Sequence, residues 1–462
     1  MYMRFMALLT ALLLAACGMA EAADRGAYIQ STRGGTAVYA PDGTLLYPAG
    51  QYFALRKGDQ LIHIHEKTSD VYPIGPEGLL DREGRLLLEP EWNVVNVSPE
   101  ADRIIARRDG RSTLFDLSGA CIAELDGLVI GDFRSGRALY QVSNLRNGLI
   151  DPDGNIAAPP VWSHIDPEDL AEGAIFVSDD EHWGLIDLDG NVLVEPQYRI
   201  RLSFSDGLAA VKTDAGLWGY IDAKGTQVIP PRFDQAEAFC GGIAPVRIGG
   251  RWQIIDKAGE TVCKLPVCDG AIALSSDYVV VEYYEEDSIC TAVERAVLCR
   301  LENGALRPLE HGDWDGIGMI QRASGDAPPR FLARTADNEY CLLDEEGRRL
   351  TPLFIGFSTM YDDRPRFAEG LETVELLDKS FAVFDLDGHE LFSGFDCISP
   401  FVGGRAIAWK DGRFFLIDDQ GGTEPVEEPA WDGPTDRESY PEVYMENLCE
   451  YYGCAWGVDP VF

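Results

Sequence analysis

The sequence repeats itself about every 35 residues, and this period limits the chain to a tandem-repeat architecture. The repeated phrase is a short apolar run, an aspartate, two variable residues and a glycine. From Gly84 to Gly259 the successive glycines of this phrase are 34 to 36 residues apart. The aspartate and glycine of the clear copies are Asp81 and Gly84, Asp116 and Gly119, Asp151 and Gly154, Asp187 and Gly190, Asp222 and Gly225, Asp256 and Gly259, Asp344 and Gly347, Asp385 and Gly388, and Asp418 and Gly421.

Each repeat has the pattern of a small antiparallel meander. In the copy around Asp222, short apolar strands are predicted at residues 207–212, 217–222 and 226–229. The aspartate side chain can cap its own turn, and the glycine supplies the positive φ that closes the turn. A proline follows the third strand, and because proline has no N–H to donate we expect it to end that strand.

A meander of this size cannot bury its apolar face alone, so neighbouring units must stack on one another. We therefore predict an all-β fold, a tandem repeat of three- to four-stranded antiparallel units in a propeller-like or open curved array. About ten units fit residues 25–422, with an irregular stretch at 264–340 where the repeated phrases dissolve. The pattern is compatible with both a closed ring and an open arc.

Aromatic residues recur at two fixed places in the unit. Trp183 and Trp218 each stand before a glycine, and Trp252 occupies the same place before a glutamine. Trp92 and Trp162 each end a Pro-x-aromatic phrase. Recurring aromatics usually form the core between units, and the alternative is a groove on which a carbohydrate stacks. We expect the core role, with the glycine making room for the tryptophan ring.

The Trp-Gly pair, the aspartate turn and the Pro-x-aromatic phrase together resemble the bacterial WG repeat. The resemblance is close over residues 130–262 and looser over residues 37–130 and 340–422. It implies an extracytoplasmic or cell-surface β-repeat array with a binding role and no consensus catalytic residue.

The N-terminus resembles a bacterial lipoprotein signal peptide. Arg4 precedes an apolar run over residues 5–16, which is shorter than the roughly 20 residues of a membrane span. The run ends at Cys17 in a sequence that resembles a lipobox. We expect residues 1–23 to form the signal peptide and tether, with Cys17 lipidated and the chain held outside the cytoplasm by lipid alone. An ordinary signal peptide cut before Ala23 is the alternative.

The charge of the chain excludes one class of partner. The sequence contains 39 Lys and Arg against 77 Asp and Glu, which gives a net charge of −38. Such a surface repels phosphate backbones, so nucleic acid is not an expected partner.

Three of the turns read Asp-x-Asp-Gly, with Asp153, Asp189 and Asp387 as the second aspartates. This spacing is similar to the start of a calcium-binding loop. Other turns carry Lys224 or Ala258 at the same place, so we expect structural turns with no metal or cofactor. Motifs for a catalytic nucleophile or a phosphate-binding loop do not occur, and an enzyme is not the expected class.

These observations favour a lipid-anchored extracytoplasmic binding scaffold, whose partner would be a protein or a glycan of the cell envelope. The alternative is an envelope hydrolase or a calcium-dependent surface enzyme with its site in the irregular stretch or a central channel. The acidic, aromatic-rich tail at residues 423–462 is expected to cap the last unit or to dock on a partner.

Overall fold

The computed structural model describes most of the chain between residues 27 and 426. The residues it leaves out within these limits are 33–34, 41–42, 58–60, 67–74, 143–145, 167–169, 171–172, 287–291, 310–311, 313, 322–326, 358–369, 400, 402–403, 412 and 420–421. The predicted lipidation site Cys17, the turn glycine Gly421 and the tail beyond residue 426 therefore lie outside the described residues.

The described chain is all-β apart from one single-turn 3-10 helix at Pro99–Ala101. We divide its strands into eleven consecutive units. Units 1 and 2 contain β1 (Tyr28–Thr32), β2 (Gly35–Tyr39), β3 (Leu45–Lys57), β4 (Leu61–Glu66), β5 (Glu77–Asp81) and β6 (Leu86–Trp92). Unit 3 contains β7 (Val94–Ser98), β8 (Arg103–Arg108), β9 (Arg111–Asp116) and β10 (Cys121–Leu125). Unit 4 contains β11 (Leu128–Arg134), β12 (Arg137–Gln141), β13 (Asn147–Ile150) and β14 (Ile156–Trp162).

The middle of the chain continues in the same order. Unit 5 contains β15 (His164–Ile165), β16 (Ala174–Ser178), β17 (Trp183–Asp187) and β18 (Val192–Tyr198). Unit 6 contains β19 (Ile200–Arg201), β20 (Leu208–Lys212), β21 (Trp218–Asp222) and β22 (Gln227–Phe233). Unit 7 contains β23 (Gln235–Ala236), β24 (Ile243–Ile248), β25 (Arg251–Asp256) and β26 (Thr261–Lys264).

The last four units complete the series. Unit 8 contains β27 (Gly270–Ala273), β28 (Tyr278–Glu286), β29 (Ala292–Glu302) and β30 (Ala305–Pro308). Unit 9 contains β31 (Gly316–Gln321), β32 (Arg330–Arg334) and β33 (Tyr340–Leu343). Unit 10 contains β34 (Phe354–Phe357), β35 (Leu371–Leu376), β36 (Phe381–Asp385) and β37 (Glu390–Phe395). Unit 11 contains β38 (Cys397–Ile398), β39 (Arg405–Lys410), β40 (Arg413–Asp418) and β41 (Thr423–Pro425).

The strands form nine antiparallel sheets, and each strand pairs with its neighbours in chain order. Units 1 and 2 share a six-stranded sheet and units 9 and 10 a seven-stranded sheet, while each other unit is a four-stranded sheet of its own. This arrangement confirms the predicted fold class, a tandem repeat of three- to four-stranded antiparallel units.

The irregular stretch holds the unit that the sequence phrase misses. We call the last strand of each unit its outer strand. In unit 8 the turn before the outer strand, β30, is Asn303–Gly304, and both residues have positive φ, 51° and 74°. Glu302 and Ala305 pair directly across this turn. A two-residue turn of this kind replaces the aspartate turn of the other units, so the same hairpin forms without the repeated phrase.

The core consists of apolar clusters that each join two consecutive units. In unit 6, Leu208 and Ala210 pack against unit 7, while Ala209 and Val211 pack against unit 5. Because successive side chains of a strand point to opposite faces, β20 is buried on both faces and its apolar run is continuous rather than alternating. Each sheet is therefore stabilised mainly by its neighbours in the row.

The prolines do not end the third predicted strand, contrary to expectation. In unit 6, β22 runs through Pro230 and Pro231 to Phe233. The pairs Tyr220–Ile229 and Trp218–Phe233 leave a bulge on β22 at the two prolines. A bulge on an outer strand accommodates residues that lack an N–H, so the strand continues.

Candidate binding surface

The repeated aspartate and glycine build one turn geometry. In unit 6, Asp222 Oδ1 accepts hydrogen bonds from the backbone N–H of Lys224 at 2.9 Å and of Thr226 at 2.7 Å. Gly225 has a φ of +81° and donates its N–H to Asp222 O at 2.9 Å. The side-chain bonds recur at Asp81, Asp116, Asp151, Asp187, Asp256, Asp344 and Asp385, and Asp418 Oδ1 accepts the N–H of Gly422.

The turn glycine also contacts the preceding unit. A Cβ on Gly225 would lie 2.5 Å from Val194 Cγ2 of unit 5, and one on Gly190 would lie 2.8 Å from Ala158 Cα of unit 4. Any side chain here would separate the turn from the outer strand beneath it. The glycine therefore serves both the positive φ and the stacking of units.

The second aspartate of each Asp-x-Asp-Gly turn binds an arginine of the preceding unit. Arg103 donates from Nε to Pro152 O at 2.8 Å and from Nη2 to Asp153 Oδ1 at 3.1 Å. Arg137 makes the same two bonds, to Leu188 O and to Asp189 Oδ1, both at 2.8 Å. We call this contact the arginine clamp.

The third arginine clamp joins units 9 and 10. Arg330 donates from Nε to Leu386 O at 2.9 Å and from Nη2 to Asp387 Oδ1 at 2.5 Å. Where the second strand of a unit begins with Ala174 or Leu208 instead of arginine, the following turn carries Lys224 or Ala258 instead of aspartate. The Asp-x-Asp pattern therefore accompanies the arginine. Among the described residues, no group of three or more His, Cys, Asp or Glu side chains is placed to hold a metal ion.

The Trp-Gly position lies opposite the aromatic of the Pro-x-aromatic phrase in the same unit. Trp218 pairs with Phe233, and Trp183 pairs with Tyr198. Trp218 is 9% exposed and Phe233 is fully buried, so this pair belongs to the core between units 6 and 7. Trp252 is also buried, and its Nε1 donates to Asp269 O of unit 8 at 3.0 Å.

Two units have a polar residue in place of the tryptophan. Glu77 pairs with Trp92 and Asn147 pairs with Trp162, so the tryptophan occupies the other strand of the pair. Glu77 Oε2 accepts the N–H of Val95, and Asn147 Nδ2 donates to Ser163 O. These polar side chains bind the first residues after the unit, as the indole of Trp252 does.

The glycine of the Trp-Gly pair makes room for backbone and not for the ring, which corrects the expectation. A Cβ on Gly219 would lie 2.5 Å from Ile229 O and 2.7 Å from Pro231 N. On Gly184 it would lie 2.5 Å from Val194 O. The proline bulge of the outer strand therefore crosses directly over this glycine.

Two titratable side chains of units 7 and 8 have pKa values above their usual range. Burial raises the pKa of Glu237, and the neighbouring carboxylate of Glu282 raises it further. Burial likewise raises the pKa of Cys299 to about 11, which keeps this thiol protonated and unreactive at neutral pH. These groups lie at the junction of units 7 and 8.

A row of exposed apolar side chains is left over once the contacts between units are assigned. Its members lie two residues after the turn glycine, at the start of the outer strand in each of units 1 to 5. They are Leu45 (48% exposed), Leu86 (38%), Cys121, Ile156 (56%) and Val192 (44%). We call these five residues the outer row. In units 6, 7 and 11 the same place holds the exposed polar residues Gln227, Thr261 and Thr423.

The outer row is distinguished from the other exposed apolar residues by its recurrence at one place in consecutive units. Exposed aliphatic side chains are common singly, whereas here an exposed apolar residue recurs at one place in five consecutive units. The row was not predicted from the sequence, although its signal is present there as an apolar residue two positions after Gly43, Gly84, Gly119, Gly154 and Gly190. Among the seven described cysteines, Cys121 alone is exposed, and it lies in the middle of the row.

The aspartate turns should make the fold sensitive to acid. A hydrogen bond from the Ser118 hydroxyl lowers the pKa of Asp116. Burial raises the pKa of Asp151 and Asp187, but the hydrogen bonds of each turn, from the side chain and backbone of the following asparagine and from the backbone of the second aspartate, together bring it below its usual value. A pKa below its value in the unfolded chain, about 4, contributes stability above that value and loses it as the pH falls through the folded pKa. We expect the triple variant Asp116→Asn, Asp151→Asn, Asp187→Asn to lose less stability than the parent between about pH 5 and pH 2, measured as urea midpoints.

The control for this acid series is Asp132→Asn, Asp277→Asn, Asp337→Asn, three exposed aspartates that do not belong to the repeated Asp-x-x-Gly turns. This variant removes the same charge and should keep the pH dependence of the parent. Equal pH profiles for the turn variant and the parent would contradict the prediction.

Comparison with known proteins places the repeat in the middle of the chain. Residues 183–215 and 218–252 match the family described as WG containing repeat. No curated protein matches the sequence. Among the described residues, no helix is long and apolar enough to cross a membrane.

Solved structures similar to the chain share little sequence with it. The computationally designed Ika8 protein is 12% identical and aligns over 70% of this chain and 94% of its own, with a TM-score of 0.31. A eukaryotic initiation factor is 10% identical over 73% of this chain and 96% of its own, with a TM-score of 0.42. BamB from Moraxella catarrhalis is 15% identical over 57% of this chain and 87% of its own, with a TM-score of 0.29.

Proposed function

We propose that this WG-repeat chain is a lipid-anchored extracytoplasmic binding scaffold that holds a protein of the cell envelope on its outer row. The observation that carries the proposal is the contrast between the two sets of repeated residues. The turns, the aromatic pairs and the arginine clamps are occupied in joining units, whereas the outer row repeats in units 1 to 5 and stays exposed.

The chemistry of the outer row favours a protein over a glycan. Sugars stack on flat aromatic faces, but the aromatics at the Trp-Gly position of units 6 and 7 are buried. The row itself is aliphatic, which suits the apolar side chains of a protein partner. Since the scaffold carries a net charge of −38, a partner with basic residues around its apolar contact is favoured. A glycan remains the second candidate because Trp92 and Trp162 are half-buried.

The test is a matched pair of charge substitutions at one place in the repeat. The outer row is changed by the triple variant Leu86→Lys, Ile156→Lys, Val192→Lys. The control adds the same three charges at the corresponding polar positions of later units, as Gln227→Lys, Thr261→Lys, Thr423→Lys. Capture of envelope proteins on each immobilised chain is measured by quantitative mass spectrometry. We expect the outer-row variant to capture at least about tenfold less of the partner than the parent chain does. The control should capture as much of the partner as the parent chain. Equal capture by the two variants would exclude the outer row as the contact.

Cys121 offers an independent readout in the unmodified chain. A bound partner on the outer row should slow alkylation of this thiol by a maleimide, because the thiol lies between Leu86 and Ile156 in the order of units. Binding of a glycan from an array without any protection of Cys121 would favour the second candidate.

The lipid anchor is tested separately from binding. Mass spectrometry of the chain from the membrane fraction should find a mature N-terminus at Cys17 carrying diacylglycerol, and Cys17→Ala should release the chain from that fraction. An unmodified mature N-terminus at Ala23 would contradict the anchor and leave the binding role untouched.

A further inference from the structure

The outer strands differ in how well their free edges are protected. Each of the nine sheets ends in an outer strand, and no described strand lies beyond it. A free edge can pair with another extended chain, and a proline, a bulge or a lysine on the edge prevents this. One group of outer strands contains proline: β6, β14, β18, β22, β30 and β41. Of the others, β26 carries Lys264, and β37 has a bulge at Gly394, which has a φ of +70°.

The outer strand of unit 3, β10, has none of these protecting features. Its sequence is Cys-Ile-Ala-Glu-Leu, without proline or lysine. The register shifts once between Cys121 and Ala123, beside the aspartate turn, as it also does in units 4, 5 and 6. From Ala123 to Leu125 the strand pairs regularly with β9, and the second bulge of those three units is missing. Among the described strands β10 pairs with β9 alone, so its far edge is regular and open.

The register of β9 shows which backbone groups of β10 point outward. Along a strand in an antiparallel sheet, successive residues form hydrogen bonds alternately to the neighbour on one side and on the other. Asp116 donates its N–H to Ala120 O, so Thr113, three residues earlier on β9, forms its bonds to β8. The partner of Thr113 on β10 is Glu124. The N–H and C=O of Glu124 therefore point away from the sheet, and those of Cys121 do so for the same reason.

The side chains around this edge are apolar and acidic. On the neighbouring units, the outer-row residues Leu86 (38% exposed) and Ile156 (56%) lie on either side of unit 3. Glu124 is exposed, and the exposed Glu89 of unit 2 and Glu195 of unit 5 occupy the same place, five residues after the turn glycine. A strand added to β10 would direct alternate side chains towards unit 2 and towards unit 4. It would thus meet an apolar residue on each face and carboxylates beside it.

The charge of the chain decides between two possible occupants of the edge. A second copy could pair its β10 with this one, but each copy carries a net charge of −38 and the pairing would bring the two acidic edges together. A segment with lysine or arginine beside its apolar residues complements both the exposed glutamates and the overall charge. The edge therefore favours a basic segment of another protein.

We propose that β10 receives an extended basic segment of the partner protein, which adds a fifth strand to the sheet of unit 3 through the outward backbone groups of Cys121 and Glu124. The main-chain bonds hold the segment, and its apolar side chains contact Leu86 and Ile156. This inference rests on the binding role proposed above and specifies how the partner is held.

A matched pair of substitutions at one position tests the added strand. Glu124→Pro removes the outward N–H and no bond to β9, and Pro159 and Pro230 hold the same place in units 4 and 6. Glu124→Gln removes the same charge and keeps the N–H. The probe is a short peptide selected on the parent chain from a displayed random-sequence library and then synthesised. We expect it to alternate apolar residues, to contain lysine or arginine, and to bind Glu124→Pro at least about tenfold more weakly than Glu124→Gln.

Hydrogen–deuterium exchange of the parent chain gives a second measurement, which does not depend on the folding of a variant. The amide of Glu124 should exchange at least about tenfold more slowly with the selected peptide bound than without it. Unchanged exchange at Glu124, equal affinity of the two variants, or a library that yields no peptide for the parent chain would each overturn the proposal. These outcomes are distinct from failure of the binding role itself, which is decided by envelope-protein capture on the outer-row variant and its control.

Discussion

Gly219→Ala is expected to lower the free energy of unfolding by about 2 kcal/mol, because the new methyl group has no space. Its Cβ would lie 2.5 Å from Ile229 O and 2.7 Å from Pro231 N, and both atoms belong to the backbone of the outer strand. Neither can rotate away as a side chain could. The bulge must move, and it carries Phe233 out of the core between units 6 and 7. The measurement is the urea midpoint followed by circular dichroism.

Gly318→Ala is the matched control for this substitution. Gly318 also lies within a strand, β31, but a Cβ there would meet no atom within 4 Å. Alanine reduces the conformational freedom of the unfolded chain, so this variant should be neutral or slightly more stable than the parent. If both variants had the same midpoint, the close approach of the proline bulge would not be the reason for the glycine.

The features that the sequence predicted are those decided within a few residues. The turn at Asp222 depends on atoms no more than four residues away, and its chemistry is visible in the phrase itself. The stacking of units also follows from the sequence, because a meander of about 35 residues has too little apolar area to fold alone. Both predictions required only local geometry and the size of the repeat.

The features that the sequence did not predict depend on contacts between separate segments. The role of Gly219 is set by Ile229 and Pro231, which reach it only through the register of two strands. The unit around Asn303–Gly304 read only as an irregular stretch, because a different turn replaces the aspartate turn while the hairpin stays the same. The partner of Asp153 was not visible in the sequence, because Arg103 lies 50 residues earlier, in the preceding unit. Without that partner, the Asp-x-Asp spacing resembled the start of a calcium-binding loop.

The outer row illustrates a different kind of failure. Leu86, Ile156 and Val192 read as ordinary strand residues, since an apolar residue at the start of a strand is normally half-buried. Their exposure follows from the outer position of the strand, which no local pattern reveals. Comparison of the first five units with the later ones would have shown the difference, because Gln227 and Thr261 hold the same place.

Arg330→Met is expected to destabilise the junction of units 9 and 10 by about 2 kcal/mol, because several hydrogen bonds to one charged group are lost together. The Arg330 side chain is 9% exposed and donates to Leu386 O, Asp387 Oδ1 and Glu345 Oε2. Asp387 is 62% exposed, so water can replace much of what its carboxylate loses when the arginine is removed. Most of the destabilisation therefore comes from the loss of the buried guanidinium and of its hydrogen bond to Leu386 O. The parent and Arg413→Met, at an exposed arginine, should have the same thermal transition.

The units that lack the clamp suggest a rescue that separates the clamp from simple loss of packing. The pair Leu208 and Ala258 occupies the two clamp positions between units 6 and 7 without any charge. Arg330→Leu combined with Asp387→Ala should therefore recover part of the stability that Arg330→Leu loses alone, because one of the two carboxylates that bind Arg330 is removed together with it. In a row of units that stack only on their neighbours, Arg330→Met should also split the thermal transition, with units 10 and 11 unfolding first. A single transition at the parent temperature would show that the arginine clamp does not couple these units.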